Sequence, residues 1–127
     1  GGGMNGLAVQ QAVFDALEGA LSVPVFDHVP QDQPAPFVSI DAQDIAANDT
    51  LNTHAWSHVL TLTVWSTYRG QKEVLEILQQ IDAALHDANL SLASGAAIMA
   101  RITQSRVRLD QDGKTYMGTV TLRVEAI

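Results

Sequence analysis

Between residues 7 and 21 the apolar positions Leu7, Val9, Val13, Phe14, Leu17 and Leu21 recur at spacings of mostly three and four. That is the period of one helical face. It predicts a first helix that Asn5 can cap and that Gly19 and then Pro24 help to end. A second stripe follows Gly70: Val74, Leu75, Leu78, Ile81 and Leu85, with Glu73, Glu76, Gln79, Gln80 and Asp82 offered to water. It predicts a second helix that ends near Asn89.

Elsewhere the period falls to two, the mark of extended chain. Residues 25–29 form a short β-prone run, closed by Pro30 and by a loop whose Pro34 and Pro36 forbid regular pairing. Residues 37–43 resume extended character, with Val38, Ile40 and Ala42 on one side and Ser39 and Asp41 on the other. The Asp-, Asn- and Thr-rich stretch 44–53 reads as an exposed loop or a flexible hairpin connection. Across 55–67, Trp56, His58, Leu60, Leu62 and Val64 alternate with Ser57, Val59, Thr61, Thr63 and Trp65, which predicts the long central strand. Residues 98–109 and 115–127 flank Asp110-Gln111-Asp112-Gly113-Lys114, a hairpin signature. In the second of these strands Tyr116, Val120, Leu122, Val124 and Ala126 share one face, and Thr115, Met117, Thr119, Thr121, Arg123 and Glu125 the other. The fold expected is α+β: two helices packed on one face of a mainly antiparallel sheet of about five strands, in the order α-β-β-β-α-β-β.

The 127 residues suit one domain, spanning 4–127, with Gly1 to Gly3 read as an expression remnant ahead of Met4. There is no cysteine, so no disulfide framework and no thiolate chemistry. No apolar run reaches the roughly 20 residues a membrane helix needs. The net charge of −7 is unevenly spread: residues 1–68 carry Asp15, Glu18, Asp27, Asp32, Asp41, Asp44 and Asp49 but no Lys or Arg. Five bases, Arg101, Arg106, Arg108, Lys114 and Arg123, lie in the last stretch of the chain. Such asymmetry can orient self-association. The strand face turned away from the helices is unusually neutral, built on Thr61, Thr63, Thr67, Thr115, Thr119 and Thr121 with Trp65 and Met117 among them. Threonine favours strands in any case, so this face reads equally as plain sheet and as interface.

Candidate chemistry is sparse. His54 and His58 are four apart, a ligand spacing on a helix, but extended chain separates them by about 13 Å, so they cannot share one ion. His58, aligned with Trp56 and Leu60, reads as a partly buried structural histidine; His28 and His86 stand alone. Asp110, Asp112 and Gly113 resemble the centre of a calcium loop, but Arg108 and Thr119 stand where its acids belong, leaving a polar turn. The nucleophile-elbow, phosphate-loop and dinucleotide glycine patterns are missing. No catalytic, cofactor or metal residues are assigned, and the chain reads as a non-enzyme. The acidic balance opposes specific nucleic-acid binding.

The run Val25-Phe26-Asp27-His28-Val29-Pro30, then Pro36-Phe37-Val38, then His58 with Leu60 through Ser66 and Gly70, resembles tail-completion or tail-terminator proteins of long-tailed phages and gene transfer agents. The closing segment, from Arg108 through Gly113, Tyr116 and Gly118 to Val124, is similar to that family's last hairpin. The likeness spans residues 7–126 and rests on packing and turn motifs. It implies a virion protein, made in the bacterial cytoplasm, that forms a ring with copies of itself, commonly a hexamer. Such a ring caps the tail tube, meets the major tail tube protein on one side and the head connector or stopper on the other, and passes DNA as cargo. On this reading Arg101, Arg106 and Arg108 meet Asp27, Asp32, Asp41, Asp44 and Asp49 of the next subunit. Two alternatives are another head-tail connector component, stopper or adaptor, and a small ligand-binding α+β domain.

Overall fold

The computed structural model describes residues 6–47 and 56–126. Two helices, α1 (Gly6–Ala20) and α2 (Lys72–Leu85), lie against one mixed sheet. Its strands are β1 (Val25–Phe26), β2 (Phe37–Ala47), β3 (Trp56–Ser66), β4 (Ala88–Ser91), β5 (Ala97–Leu109) and β6 (Tyr116–Ala126). The spatial order is β1-β2-β3-β6-β5-β4. All neighbours are antiparallel except β1 and β2, which run parallel. No helix among the described residues is long and apolar enough to cross a membrane.

The two-helix, one-face arrangement agrees with the expectation, but the sheet has six strands rather than five, and the element order gains a strand after α2. The added strand is β4. α2 stops at Leu85, where the His86 amide still donates to Asp82 O at 2.9 Å, and Asp87 then turns the chain with φ 52. An aspartate tolerates that left-handed conformation, so a reversal follows the helix without glycine or proline to announce it. The helix was therefore expected to run on to Asn89. Conversely, the predicted strand at 25–29 keeps only Val25 and Phe26, paired in parallel with Val38 and Ser39.

The core lies between the helices and the inner sheet face. Val9, Val13 and Leu17 of α1 and Val74, Ile77, Ile81 and Leu85 of α2 meet Leu60, Leu62, Val64, Val120, Leu122 and Val124, all buried. Two members of the predicted stripes fall outside it: Leu7 is 80% exposed and Leu75 44% exposed, while Ile77, left out of the stripe, is buried. The i, i+3, i+4 positions that face the sheet are 74, 77, 78, 81 and 85, a stripe one step round from Leu75. α2 crosses β6 at Gly118, where an added Cβ would stand 2.9 Å from Val74 Cγ2 and 3.2 Å from both Leu78 methyls. Ser66, fully buried, prepares the entry to α2: its hydroxyl donates to Glu73 Oε1 at 2.7 Å and accepts from the Tyr68 amide at 3.2 Å.

The predicted capping by Asn5, and the greater part of the predicted 44–53 loop, lie outside the described residues. Residues 44–47 of that loop belong to β2.

Candidate functional site

The outer sheet face, turned away from both helices, carries the threonine-rich strand positions and the charges of β2 and β5. Cross-strand pairing arranges it in rows, each with one residue from β2, β3, β6 and β5. They run Asp44–Val59–Arg123–Arg101, Ala42–Thr61–Thr121–Gln104, Ser39–Thr63–Thr119–Arg106 and Phe37–Trp65–Met117–Arg108. The centre is a threonine ladder, the β2 side is acidic and the β5 side is basic. The neutral face expected from Thr61, Thr63, Thr119, Thr121, Trp65 and Met117 is thus present. Thr67 and Thr115 lie just beyond the strands.

Two register shifts create this arrangement, one between Ile40 and Ala42 and one between Ile102 and Gln104. Each bulge inserts one residue and reverses which side chains face out. In β5 the extra residue is Thr103, whose hydroxyl donates to Thr121 O at 3.3 Å. Strict alternation would put Arg101 and Arg106, five apart, on opposite faces. The bulge puts Arg101, Arg106 and Arg108 on one. In β2 the extra residue is Asp41, and the reversal corrects the expected pattern: Ala42 faces out, and Gln43 and Ile45 face the helices, paired across from Leu60 and His58.

Around the β2 bulge a polar network is closed. Trp65 Nε1 donates to Ser39 Oγ at 3.0 Å, Ser39 Oγ donates to Asp41 Oδ1 at 2.6 Å, and Thr63 Oγ1 donates to Asp41 Oδ2. Trp65 also stacks on Phe37, ring centroids 6.1 Å apart, and Phe37 meets Phe26 edge-on at 6.0 Å. Asp41 is thereby held in place on the outer face with both oxygens engaged.

The sequence-predicted interface residues separate into groups. Arg101, Arg106 and Arg108 share β5 and the outer face, and Asp41 and Asp44 share β2 and the same face. Asp27 instead lies beside α1, accepting from Gln10 Nε2 at 2.7 Å. Asp32 sits in the β1–β2 connection with φ 61. Asp49 lies outside the described residues. Arg101 Nε reaches Asp87 Oδ1 at 3.1 Å, an exposed pair. Asp44, Arg106 and Arg108 are exposed and have no ion-pair partner among the described residues.

Arg123 and Glu125 stand on this face as well, where the alternation of β6 places them beside Met117, Thr119 and Thr121. Arg123 Nε lies 2.6 Å from Glu125 Oε1, which also accepts from Ser57 Oγ at 3.1 Å.

Among the described residues no three His, Asp or Glu side chains gather into a group that could hold a metal ion. Asp112, at the centre of the calcium-like turn, is occupied otherwise. Its carboxylate accepts from the Lys114 and Thr115 amides, both at 2.8 Å, and from Thr115 Oγ1 at 2.6 Å. These bonds, the hydroxyl first, hold its pKa below the usual carboxylate range.

Residues 7–125 match the family described as "Tail completion protein gp17". A chain of the solved "Virion of native gene transfer agent (GTA) particle" is 19% identical and superposes with a TM-score of 0.80 over 94% of this chain and 94% of that chain. A second solved chain, 11% identical, superposes with a TM-score of 0.64 over 95% of this chain and 92% of its own length. At these identities both structures show a shared fold. No curated protein matches the sequence.

Proposed function

The chain belongs to the tail completion protein gp17 family, and from that premise we propose that it is a structural virion protein whose copies close into a hexameric ring. The ring terminates the tail tube and offers the surface for head-tail joining. It is not an enzyme. Its partners are further copies of itself, the major tail tube protein on one side and the head connector or stopper on the other. DNA passes through without being specifically held.

One observation carries the reading beyond the family. On one uncovered sheet face the acids Asp41 and Asp44 stand on β2 at one side and the bases Arg101, Arg106 and Arg108 on β5 at the other, and Asp44 and Arg101 end the same row. Three strand spacings separate them, roughly 14 Å, too far for an ion pair within one molecule. A second copy in the same orientation brings the two ends together, and repetition of one head-to-tail contact by rotation generates a ring. Of the acids first expected to take part, Asp41 and Asp44 are retained. Asp27 is engaged by α1, and Asp32 lies on the connection beyond the sheet face.

The experiment is to mix the protein with purified tail tubes and image which end carries it. Density closing the head-proximal tube end is the expected result. Binding to a connector and not to the tube would favour a stopper or adaptor role. Particles whose tails finish normally without this chain would sink the reading.

A further inference from the structure

Neither edge of the sheet is fully closed. On the outer side of β2 the two-residue β1 covers only Val38 and Ser39. On the outer side of β5 the four-residue β4 covers only 97–100. Beyond those caps and the two bulges, residues 42–47 of β2 and 104–109 of β5 remain, six on each edge. Among the described residues no backbone hydrogen bond reaches the free side of either stretch. Such rows of unused amides and carbonyls are templates for another strand.

Resting on the ring reading above, we infer that the contact between copies is a strand pairing: residues 42–46 of β2 in one copy join residues 104–108 of β5 in the next, extending the sheet from subunit to subunit. Three independent features fit.

The first is direction. β2 and β5 run antiparallel within the sheet, since three antiparallel steps separate them. A copy placed beside β5 in the same orientation therefore presents its β2 antiparallel, and both outer faces stay on one side.

The second is charge. Pairing β5 with β5 can set Arg106 against Arg108 of the second copy, and β2 with β2 can set Asp44 against its own image, and like charges directly opposite are unfavourable. Pairing β5 with β2 sets Asp44 opposite Arg106, with Ala42 opposite Arg108 and Asp41 close by. On the helix side the same register places Gln43 opposite Val107.

The third is stagger. Within one subunit Gln104 is level with Ala42, through Thr121 and Thr61. A level neighbour would bring Arg106 against Ser39, a position β1 already covers. Moving the neighbour by four residues puts Gln104 opposite Ala46 and clears both caps. That offset is about 13 Å over a subunit width of about 19 Å, a strand tilt of roughly 35°, within the range by which closed sheets stagger their strands.

The chain has no cysteine, so introduced thiols report the contact without background. In one molecule positions 46 and 104 are about 14 Å or more apart, beyond disulfide reach, and any bond between them joins two copies. The double variant Ala46→Cys/Gln104→Cys, oxidised after assembly on purified tail tubes, is expected to give a ladder of covalent multimers on a reducing-agent-free gel. Arg106→Cys in place of Gln104→Cys samples the next register. Either single variant alone is expected to stay monomeric.

Dimers from a single variant would show like edges pairing and overturn the inference. Tube-bound rings that form normally with no cross-link in either register would overturn it too, while leaving the ring itself standing. Absence of any multimer on tubes would overturn both. A charge swap tests the same pairing without thiols: Asp44→Arg and Arg106→Asp each weaken assembly, measured by light scattering, at least tenfold, and the double variant recovers it. A double variant as weak as its parents would reject the Asp44–Arg106 contact and the register that sets it.

Discussion

Gln43 Nε2 lies 3.2 Å from His58 Nδ1, and the same amide donates to the Gly6 carbonyl oxygen at 3.1 Å. One side chain thereby ties β2 to β3 and to the first turn of α1. With one amide hydrogen on the carbonyl, the other faces Nδ1, which must accept; the ring is then neutral with its proton on Nε2. His58 is buried, and burial holds its pKa below the ordinary value.

The sign of the pH dependence follows. The unfolded chain takes up a proton at His58 at about pH 6.5, and the folded one only at lower pH. Stability from His58 is complete above that unfolded value and is lost as pH falls below it, towards the folded pKa. Urea midpoints measured between pH 7.5 and 5 should decline, and His58→Gln should flatten that part of the curve. An equally steep decline in the variant would place the effect on other groups.

Gly118 is the crossing point of α2 over β6. Gly118→Ala would set a methyl against Val74 Cγ2, itself fully buried, and against Leu78. Overpacking of this kind costs about 1–3 kcal/mol. Chemical denaturation should show a lower midpoint with unchanged slope. No loss would mean that α2 can shift outward freely.

Leu7 and Leu17 belong to one stripe by spacing, yet Leu17 is fully buried and Leu7 is 80% exposed. Leu17→Ala should cost about 2–5 kcal/mol through lost contacts and a cavity. Leu7→Ala should stay within about 0.5 kcal/mol. Similar losses for both, by urea titration of the isolated protein, would mean that the start of α1 is covered.

The β5–β6 turn is organised by Asp112. Asp112→Ala removes the acceptor for the Lys114 and Thr115 amides, so hydrogen exchange at those two amides should accelerate while the strand amides keep their protection. Because the folded pKa of Asp112 is depressed, the protection is present above the ordinary carboxylate value of about 3.9. It should fade as pH drops through the folded pKa. Unchanged exchange in the variant would show the turn held by Gly113 alone, which has φ 72 and donates to Asp110 O.

Much of this fold was legible in the residue pattern. Both helices, the central strand and the closing hairpin follow from apolar periods long enough to be distinctive. The inward face of β3, from His58 to Val64, is the one its alternation predicts. β4 was not legible, since four residues are too few for a period and Asp87 supplies the reversal that glycine or proline would have signalled. The parallel pairing of β1 was equally hidden, because two residues carry no directional information.

The candidate interface divides along the same line. That acid gathers early in the chain and base late, and that the outer face is rich in threonine, can be read from residue order alone, because composition and alternation are local properties. Which charges share a face is decided by the bulges at Asp41 and Thr103. A one-residue slip reverses every side chain that follows, and it arises from pairing with strands distant in the chain. Only the folded sheet, therefore, puts Arg101, Arg106 and Arg108 on one surface with Asp41 and Asp44, and leaves free edges of equal length beside them.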